Sequence, residues 1–465
     1  MTDAQSTNEL LDDAASRAKR YLDTLDNRGV APTSGAIERL SAFEELLPNS
    51  PTDPKDILAM LDELGSPATM GMAGRRFFGF VIGGSIPVTV AANWIATAWD
   101  QNTGLFTATP ITAKLEEVAL GWLLQVFGLP ATCAGSFVTG ATVANFTALA
   151  AARHYVLTRI GWDVEANGLF HAPPITVVVG EEAHPTLLKS LGLLGLGRKR
   201  VITVPVDNQG RIRVDALPGI SPPAIVCIQS GNVNTGAFDH AAKIVPWAHD
   251  AGAWVHVDGA FGLWAAAASK RSHLLNGVQE ADSWATDAHK LLNVPYDSGL
   301  AFVRHADALG QAMTLTASYL PVSEHREPSQ FTPELSRRAR GIEVWAALKF
   351  LGRRGLAEMV ERTCRHAERF AHELSAAGYD ILNDVVFNQV LVSFGSPETT
   401  NEIIADIQSD GTCWCGGTVW QGKTAMRISV CSWSTRDDDV ERSLEVMLRI
   451  AKKHTPKAGT PVRPS

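Results

Sequence analysis

Long apolar runs are missing from this chain: no stretch approaches the roughly 18 residues that a membrane-spanning helix needs. The opening segment, MTDAQSTNELLDDAASRAKRYLDTLDN, has no basic region followed by an apolar run, which excludes a secretory signal there. An excess of basic charge is missing too. A formal net charge of −8 and a pI near 5.9 argue against nucleic acid or an anionic membrane as the main partner. Cysteines are few and scattered, at 133, 227, 364, 413, 415 and 431. Only Cys413 and Cys415 are close, and no second pair accompanies them, so reduced thiols are expected rather than a disulfide framework or a metal site. No internal repeat is present. The expectation is a cytoplasmic protein.

What is present suits a large folded core: 465 residues, 45% hydrophobic and 19% charged. The first 68 residues read as helices with Pro/Ser-rich breaks, and an α/β unit over 69–350 follows. A helix-rich stretch then leads into a smaller domain over 351–455, and a disordered tail is expected at 456–465. Short, β-branched runs recur in the middle of the chain, at 175–180, 200–206, 224–230, 253–260, 282–288 and 300–304, with helical segments between several of them. Runs that are apolar throughout and alternate with helices indicate a mainly parallel sheet covered on both faces.

In such a sheet, chemistry collects at the carboxyl ends of the strands. Four groups stand there: Glu181-Glu182-Ala183-His184, the turn from Gly231 to Gly236, Asp258-Gly259-Ala260, and His289-Lys290. Ahead of them, SFVTGATVANFTAL turns through Gly140 into a helix, placing backbone N–H groups and the Thr142 hydroxyl at a helix N-terminus that suits phosphate. Taken singly, each has a plainer reading. His184 suits a cap or a core position, Asp258 a turn, and Lys290 a surface. TG-x-x-x-x-N also lacks the glycines of a dinucleotide fingerprint, which weakens a nicotinamide reading. Their order and spacing carry more than any one of them.

Asp after a strand, followed by Ser/Thr-x-x-His-Lys after a later strand, resembles the pyridoxal-phosphate enzymes of fold type I. AWVHVDGAFG with ADSWATDAHKLLNVPYDSG is similar to the group II amino-acid decarboxylases, and the likeness extends from RRFFGFVIGGSIP (75–87) to MRISVCSWSTRDDDVERSLEVM (426–447). The resemblance implies a mainly parallel seven-stranded sheet with helices on both faces, an N-terminal helical segment and a smaller α+β C-terminal domain. It implies pyridoxal 5'-phosphate as cofactor, an L-amino acid as substrate, and a homodimer with the site at its interface. Lys290 would form the Schiff base, Asp258 would meet the pyridine nitrogen, His184 would stack on the ring, and Ala260 would pack on the opposite face. Gly140, Ala141 and Thr142 would hold the phosphate, His289 would sit beside it, and Asn232 would reach the ring hydroxyl.

Two departures stand out. Val143 occupies a position where the family often has Glu. The segment after TASYLP, PVSEHREPSQFTPELSRRARG, lacks the tyrosine that delivers a proton after carbon dioxide leaves; His325 is the candidate substitute. Without that acid, carbonyl formation, aldol cleavage or transamination on the same cofactor remain alternatives. A non-catalytic relative is disfavoured by the retention of Lys290, Asp258 and His184 together. Arg427 matches an arginine that holds a substrate carboxylate in some relatives, with a structural ion pair as the alternative. The small, apolar GFVIGG (79–84), which contains Phe80, stands where the resemblance implies a substrate-pocket lining; it offers no side-chain charge to a second carboxylate and so points to aromatic or apolar substrates.

Overall fold

A computed structural model of the chain describes residues 4–314 and 324–454. The expected tail and the start of the segment after TASYLP lie outside the described residues.

The larger sheet has seven strands: β1 (Ala134–Val138), β2 (Thr176–Gly180), β3 (Ile202–Val204), β4 (Ala224–Gln229), β5 (Trp254–Asp258), β6 (Ser283–Asp287) and β7 (Gly299–Val303). Their order is β1-β7-β6-β5-β4-β2-β3; all neighbours pair in parallel except β7, which runs antiparallel to β1 and β6. Every residue of β5, β6 and β7 is buried, which is why these strands carry apolar residues on both faces rather than alternating with polar ones. One face is covered by the helix Ala141–Thr158, whose Ala144, Ala148, Ala151 and Ala152 are buried and let its backbone approach the strands. At its start the chain is tighter still: a Cβ on Gly299 would lie 2.4 Å from the Gly140 Cα. Only glycine fits there, and that close approach fixes the helix start beside the end of β6.

The smaller sheet is antiparallel, in the order β10 (Gly416–Trp420), β11 (Lys423–Ser429), β9 (Gln389–Ser393), β8 (Asp380–Ile381). Helices Pro397–Asp410 and Asp437–His454 pack with it around Val390, Val392, Ile403 and Met447. The helix Gly341–Ala376 crosses the boundary expected at 350/351 and is broken at Gly352, where φ is +57°. A segment assigned by sequence to the large domain joins the small one: Phe78 is buried in that second core, donates its N–H to the Trp414 carbonyl at 2.8 Å and accepts from Ser429 N–H at 3.0 Å. Gly83 then packs on the backbone beside the site, donating to the His289 carbonyl at 3.3 Å, where a Cβ would lie 1.9 Å from the Lys290 carbonyl oxygen. All six cysteines are buried and free. Among the described residues no helix is long and apolar enough to cross a membrane.

Candidate active site

The carboxyl ends of β1, β2, β4, β5 and β6 open onto a cavity of about 750 Å³ that also takes residues from 80–81 and from the β10–β11 hairpin. Lys290 follows β6 in the short helical turn Ala288–Leu291. Its Nζ lies 2.9 Å from Asp287 Oδ2 and 6.0 Å from the centre of the Phe261 ring. The opening of β6 into a turn at the first residue past the sheet is what lifts this amine out of the core and into the cavity.

Asp258 ends β5 at the cavity floor, with 4% of the residue exposed. Its Oδ1 accepts the Ala260 N–H at 3.3 Å and its Oδ2 accepts from Asn145 Nδ2 at 3.3 Å. Burial pushes this carboxyl up, while His184, Lys290 and those two donors pull the other way. No cation reaches it at ion-pair distance among the described residues, so its charge faces the cavity. His184 caps the helix Pro185–Leu193: its Nδ1 accepts from the Thr186 N–H at 3.3 Å and lies 2.7 Å from Thr186 Oγ1. Burial lowers its pKa, so the ring is neutral with its proton on Nε2.

Gly140 precedes the helix Ala141–Thr158 with no side-chain cap. The Ala141 N–H is taken by Asp287 Oδ1 at 2.6 Å, whereas the first-turn N–H groups of Thr142 and Val143 have no intrahelical acceptor. His289 stacks on Tyr296 at 4.2 Å, accepts the Ser298 N–H on Nδ1 at 3.1 Å and points Nε2 towards Asp287 Oδ1 at 3.6 Å. Burial lowers its pKa as well. Ala260 lines the cavity beside Phe261.

Arg427, on β11, also faces the cavity. Its Nη1 donates to the Val233 carbonyl at 3.1 Å, and it has no carboxylate partner among the described residues, which removes the structural ion pair that the sequence left open. Phe80 lines the rim in a left-handed conformation (φ +53°) and stacks on Trp414 at 5.8 Å.

Two expected residues sit elsewhere. Asn232 is buried in its turn, where its Oδ1 accepts the N–H groups of Asn234 and Thr235 and its Nδ2 donates to Glu182 at 2.9 Å. Its amide organises the turn instead of addressing a ring hydroxyl. His325 is exposed, stacks on Phe106 at 3.8 Å and does not line the cavity; nor do Glu324, Glu327 or Glu334. Sequence reasoning missed Glu182 and Asp287. Glu182 lines the cavity and accepts from Trp420 Nε1 at 3.0 and 2.9 Å and from Gln421 Nε2 at 3.0 Å. Both were visible as acidic residues within two or three positions of His184 and Lys290.

A reactive amine beside a buried carboxylate that faces open space, with helix N–H groups at hand, fits pyridoxal 5'-phosphate: Asp258 for the ring nitrogen, Thr142 and its neighbours for the phosphate, Lys290 for the aldehyde. This defines a pyridoxal-phosphate enzyme on an α/β sheet. The chain belongs to the pyridoxal-dependent decarboxylase family, matching its conserved domain over residues 40–395. Membership makes it a carboxy-lyase with pyridoxal 5'-phosphate as cofactor. It is 26% identical over 453 residues to an aromatic-L-amino-acid decarboxylase of Bacillus atrophaeus, covering 92% of each chain. It is 27% identical over 393 residues to an L-2,4-diaminobutyrate decarboxylase of Rhizobium meliloti, covering 79% of this chain and 76% of that one. Oryza sativa TDC, solved with PLP and tryptamine, superposes with a TM-score of 0.90 at 20% identity over 97% of this chain and 98% of that one. Mouse CSAD in its apo form gives 0.88 at 20% identity over 97% and 99%. At that identity the structural likeness shows the fold.

Proposed function

We propose that the enzyme decarboxylates an aromatic or apolar L-amino acid to its amine. The observation that carries this reading is the charge layout of the cavity. One cation, Arg427, is free to take the substrate carboxylate, while Phe80, Val81, Val419 and Trp420 supply apolar lining. Glu182 stands in the same cavity and would repel a second carboxylate. Its oxygens are already satisfied by Trp420, Gln421 and Asn232, so it offers little to a basic side chain.

Bound pyridoxal phosphate supplies an electron sink for the pair released when the α-carboxylate leaves. The chain's own groups set up that event. Asp258 would hold a proton at the ring nitrogen through its negative charge, and His184 and Ala260, which line the same cavity, would confine the ring. Lys290, with its Nζ 2.9 Å from Asp287 Oδ2, is the group placed to move a proton there. A homodimer covering the cavity is part of this proposal; it is supported by the exposed apolar side chains of Phe80, Trp94, Ile95 and Trp99 close to the site in sequence.

A second reading, decarboxylation with oxidation by dioxygen to an aldehyde, ammonia and hydrogen peroxide, is favoured by one observation: no acid from 324–335 lines the cavity. One assay separates the two. The purified holoenzyme is given a panel of L-amino acids, and carbon dioxide, amine, aldehyde and ammonia are measured by product mass. Amine from phenylalanine, tyrosine, tryptophan or leucine supports the proposal. Turnover of glutamate or diaminobutyrate in preference to all of these would refute the substrate class, and aldehyde as the main product would refute the reaction.

A further inference from the structure

Strand geometry puts His256 and Asp258, two residues apart on β5, on the same face of the sheet, beneath the helix Ala141–Thr158. His256 is fully buried, as are Asn145 and Ser283. A polar residue in such a place must be hydrogen-bonded, and here the bonds form one chain. Trp254 Nε1 donates to Ser283 Oγ at 2.8 Å. Ser283 Oγ lies 2.8 Å from His256 Nδ1, His256 Nε2 lies 2.8 Å from Asn145 Oδ1, and Asn145 Nδ2 donates to Asp258 Oδ2 at 3.3 Å.

The direction of every bond follows from the last one. A carboxylate only accepts, so Asn145 must present its NH₂ group to Asp258 and its carbonyl to His256. The His256 Nε2 therefore carries the proton. Its Nδ1 is then the acceptor if the ring is neutral, and the Ser283 hydroxyl donates to it. That hydroxyl accepts from Trp254, which can only donate. All four donors point towards Asp258, and bonds aligned in this way polarise one another in a dry interior.

We propose that Asn145 and His256 are positioning residues that hold Asp258 ionised and aimed at the cofactor's ring nitrogen, through this one-way chain of donors. The inference rests on the reading of Asp258 as the partner of that nitrogen. Burial alone accounts for the lowering of the His256 pKa to about 3, so no charged group contends for the ring, and it stays neutral with one donor and one acceptor. Asn145 is among the groups that oppose the upward push of burial on Asp258. The role is distinct from contact with the ring: none of Asn145, His256, Ser283 or Trp254 lines the cavity.

The test uses holoenzyme loaded with cofactor isotopically labelled at the ring nitrogen, observed by NMR without substrate, for Asn145→Leu, His256→Phe and Asp258→Asn. Turnover is measured on the same samples. The expected result is a ring-nitrogen signal moved towards its unprotonated position in all three, most in Asp258→Asn. The first two should lose about 10–100-fold in kcat, the usual cost of removing an outer partner, with KM changed far less. If Asp258→Asn leaves the signal in place, the reading of Asp258 itself fails. If Asp258→Asn moves it and neither other variant does, the chain of donors is only structural, and the inference is overturned even where those variants are less stable. Should Asn145→Leu or His256→Phe not fold, Ser283→Ala and Ser283→Thr decide: the signal moves in the first and returns in the second, or the inference fails.

Discussion

Glu116 is fully buried on the helix Pro110–Phe127, and two arginines converge on it. Arg337 Nη2 reaches both of its oxygens at 2.5 Å, and Arg326 Nη1 stands 3.7 Å away. The same guanidinium groups bind the edge of the large sheet: Arg337 donates to the Phe137 carbonyl at 3.0 Å and Arg326 to the Gly135 carbonyl at 2.6 Å. The stretch between Arg326 and Arg337 is thus tied to β1 at both ends by two guanidinium groups that share a single carboxylate. Glu116→Gln keeps the shape and removes the charge, leaving the Arg337 side chain, 1% exposed, without an anion. Leaving such a charge uncompensated costs about 3–5 kcal/mol, and for a chain of 465 residues Tm should fall by about 3–5 °C. Glu116→Leu with Arg337→Met, which removes the fully buried pair together and leaves only the partly exposed Arg326, should recover part of that loss. Thermal and urea unfolding of both variants measure this, and kcat should fall in Glu116→Gln while cofactor binding stays within about twofold. A Glu116→Gln variant within about 1 kcal/mol of the parent would refute the account of the triad.

Asp258→Asn should act in opposite senses on apoenzyme and holoenzyme: removal of a buried, cation-free charge raises the apoenzyme Tm at neutral pH, while cofactor retention and turnover fall by orders of magnitude, and a variant within twofold of the parent in turnover would make Asp258 a turn residue. His256 is neutral in the native state down to about pH 3, but its unfolded value is the ordinary one near 6.5. The unfolded chain therefore binds the extra proton below that value, so this stability is complete above pH ~6.5 and drains as pH falls towards 3. Between pH 6.5 and 5 the loss is about 2 kcal/mol, and His256→Phe should lack that part of the slope in urea titrations; identical slopes would refute it. Asp287→Asn takes a carboxylate away from the Ala141 N–H while keeping an acceptor there, so cofactor phosphate should bind at least about tenfold more tightly by equilibrium dialysis, and weaker binding would show that Asp287 serves the seat rather than competes for it.

The parts of the site legible in the sequence are those that chain order alone brings together. Lys290, Asp258, Ala260 and His184 each follow a buried strand directly, and a parallel sheet gathers such residues at one edge whatever the details of packing. The large sheet was legible for the same reason, from runs apolar on both faces. What escaped depends on contacts between residues remote in sequence. His256 reads as one more residue of an apolar strand until Asn145 meets it across 111 positions, and Phe78 reads as part of the large domain until it pairs with Trp414. Asn232 was assigned by the family resemblance; the structure shows its amide oxygen taken by backbone N–H groups two and three residues on, a local competition that resemblance alone does not reveal. His325 was assigned by elimination among acids in one segment, and its ring lies on Phe106 instead.

The substrate end of the cavity is built differently from the cofactor end. Lys290, Asp258 and His184 all belong to the large sheet, so their mutual geometry survives any movement between domains. Arg427 belongs to the small sheet and reaches the cavity only because the β10–β11 hairpin is held against the large domain. Glu182 does the holding: it binds Trp420 and Gln421 of the hairpin with one carboxylate and Asn232 of the large domain with the same group. Arg427 in turn donates to the Val233 carbonyl, in the turn that Asn232 organises. The distance from Arg427 to Lys290 is therefore set by a polar staple of well-made bonds to a charged acceptor. On the reading proposed above, the groups that hold the cofactor are carried on one sheet, and the group that would select the substrate is carried on a second one clamped to it. Substitutions at Glu182, Trp420 or Gln421 would alter which amino acid is accepted without touching the atoms that react.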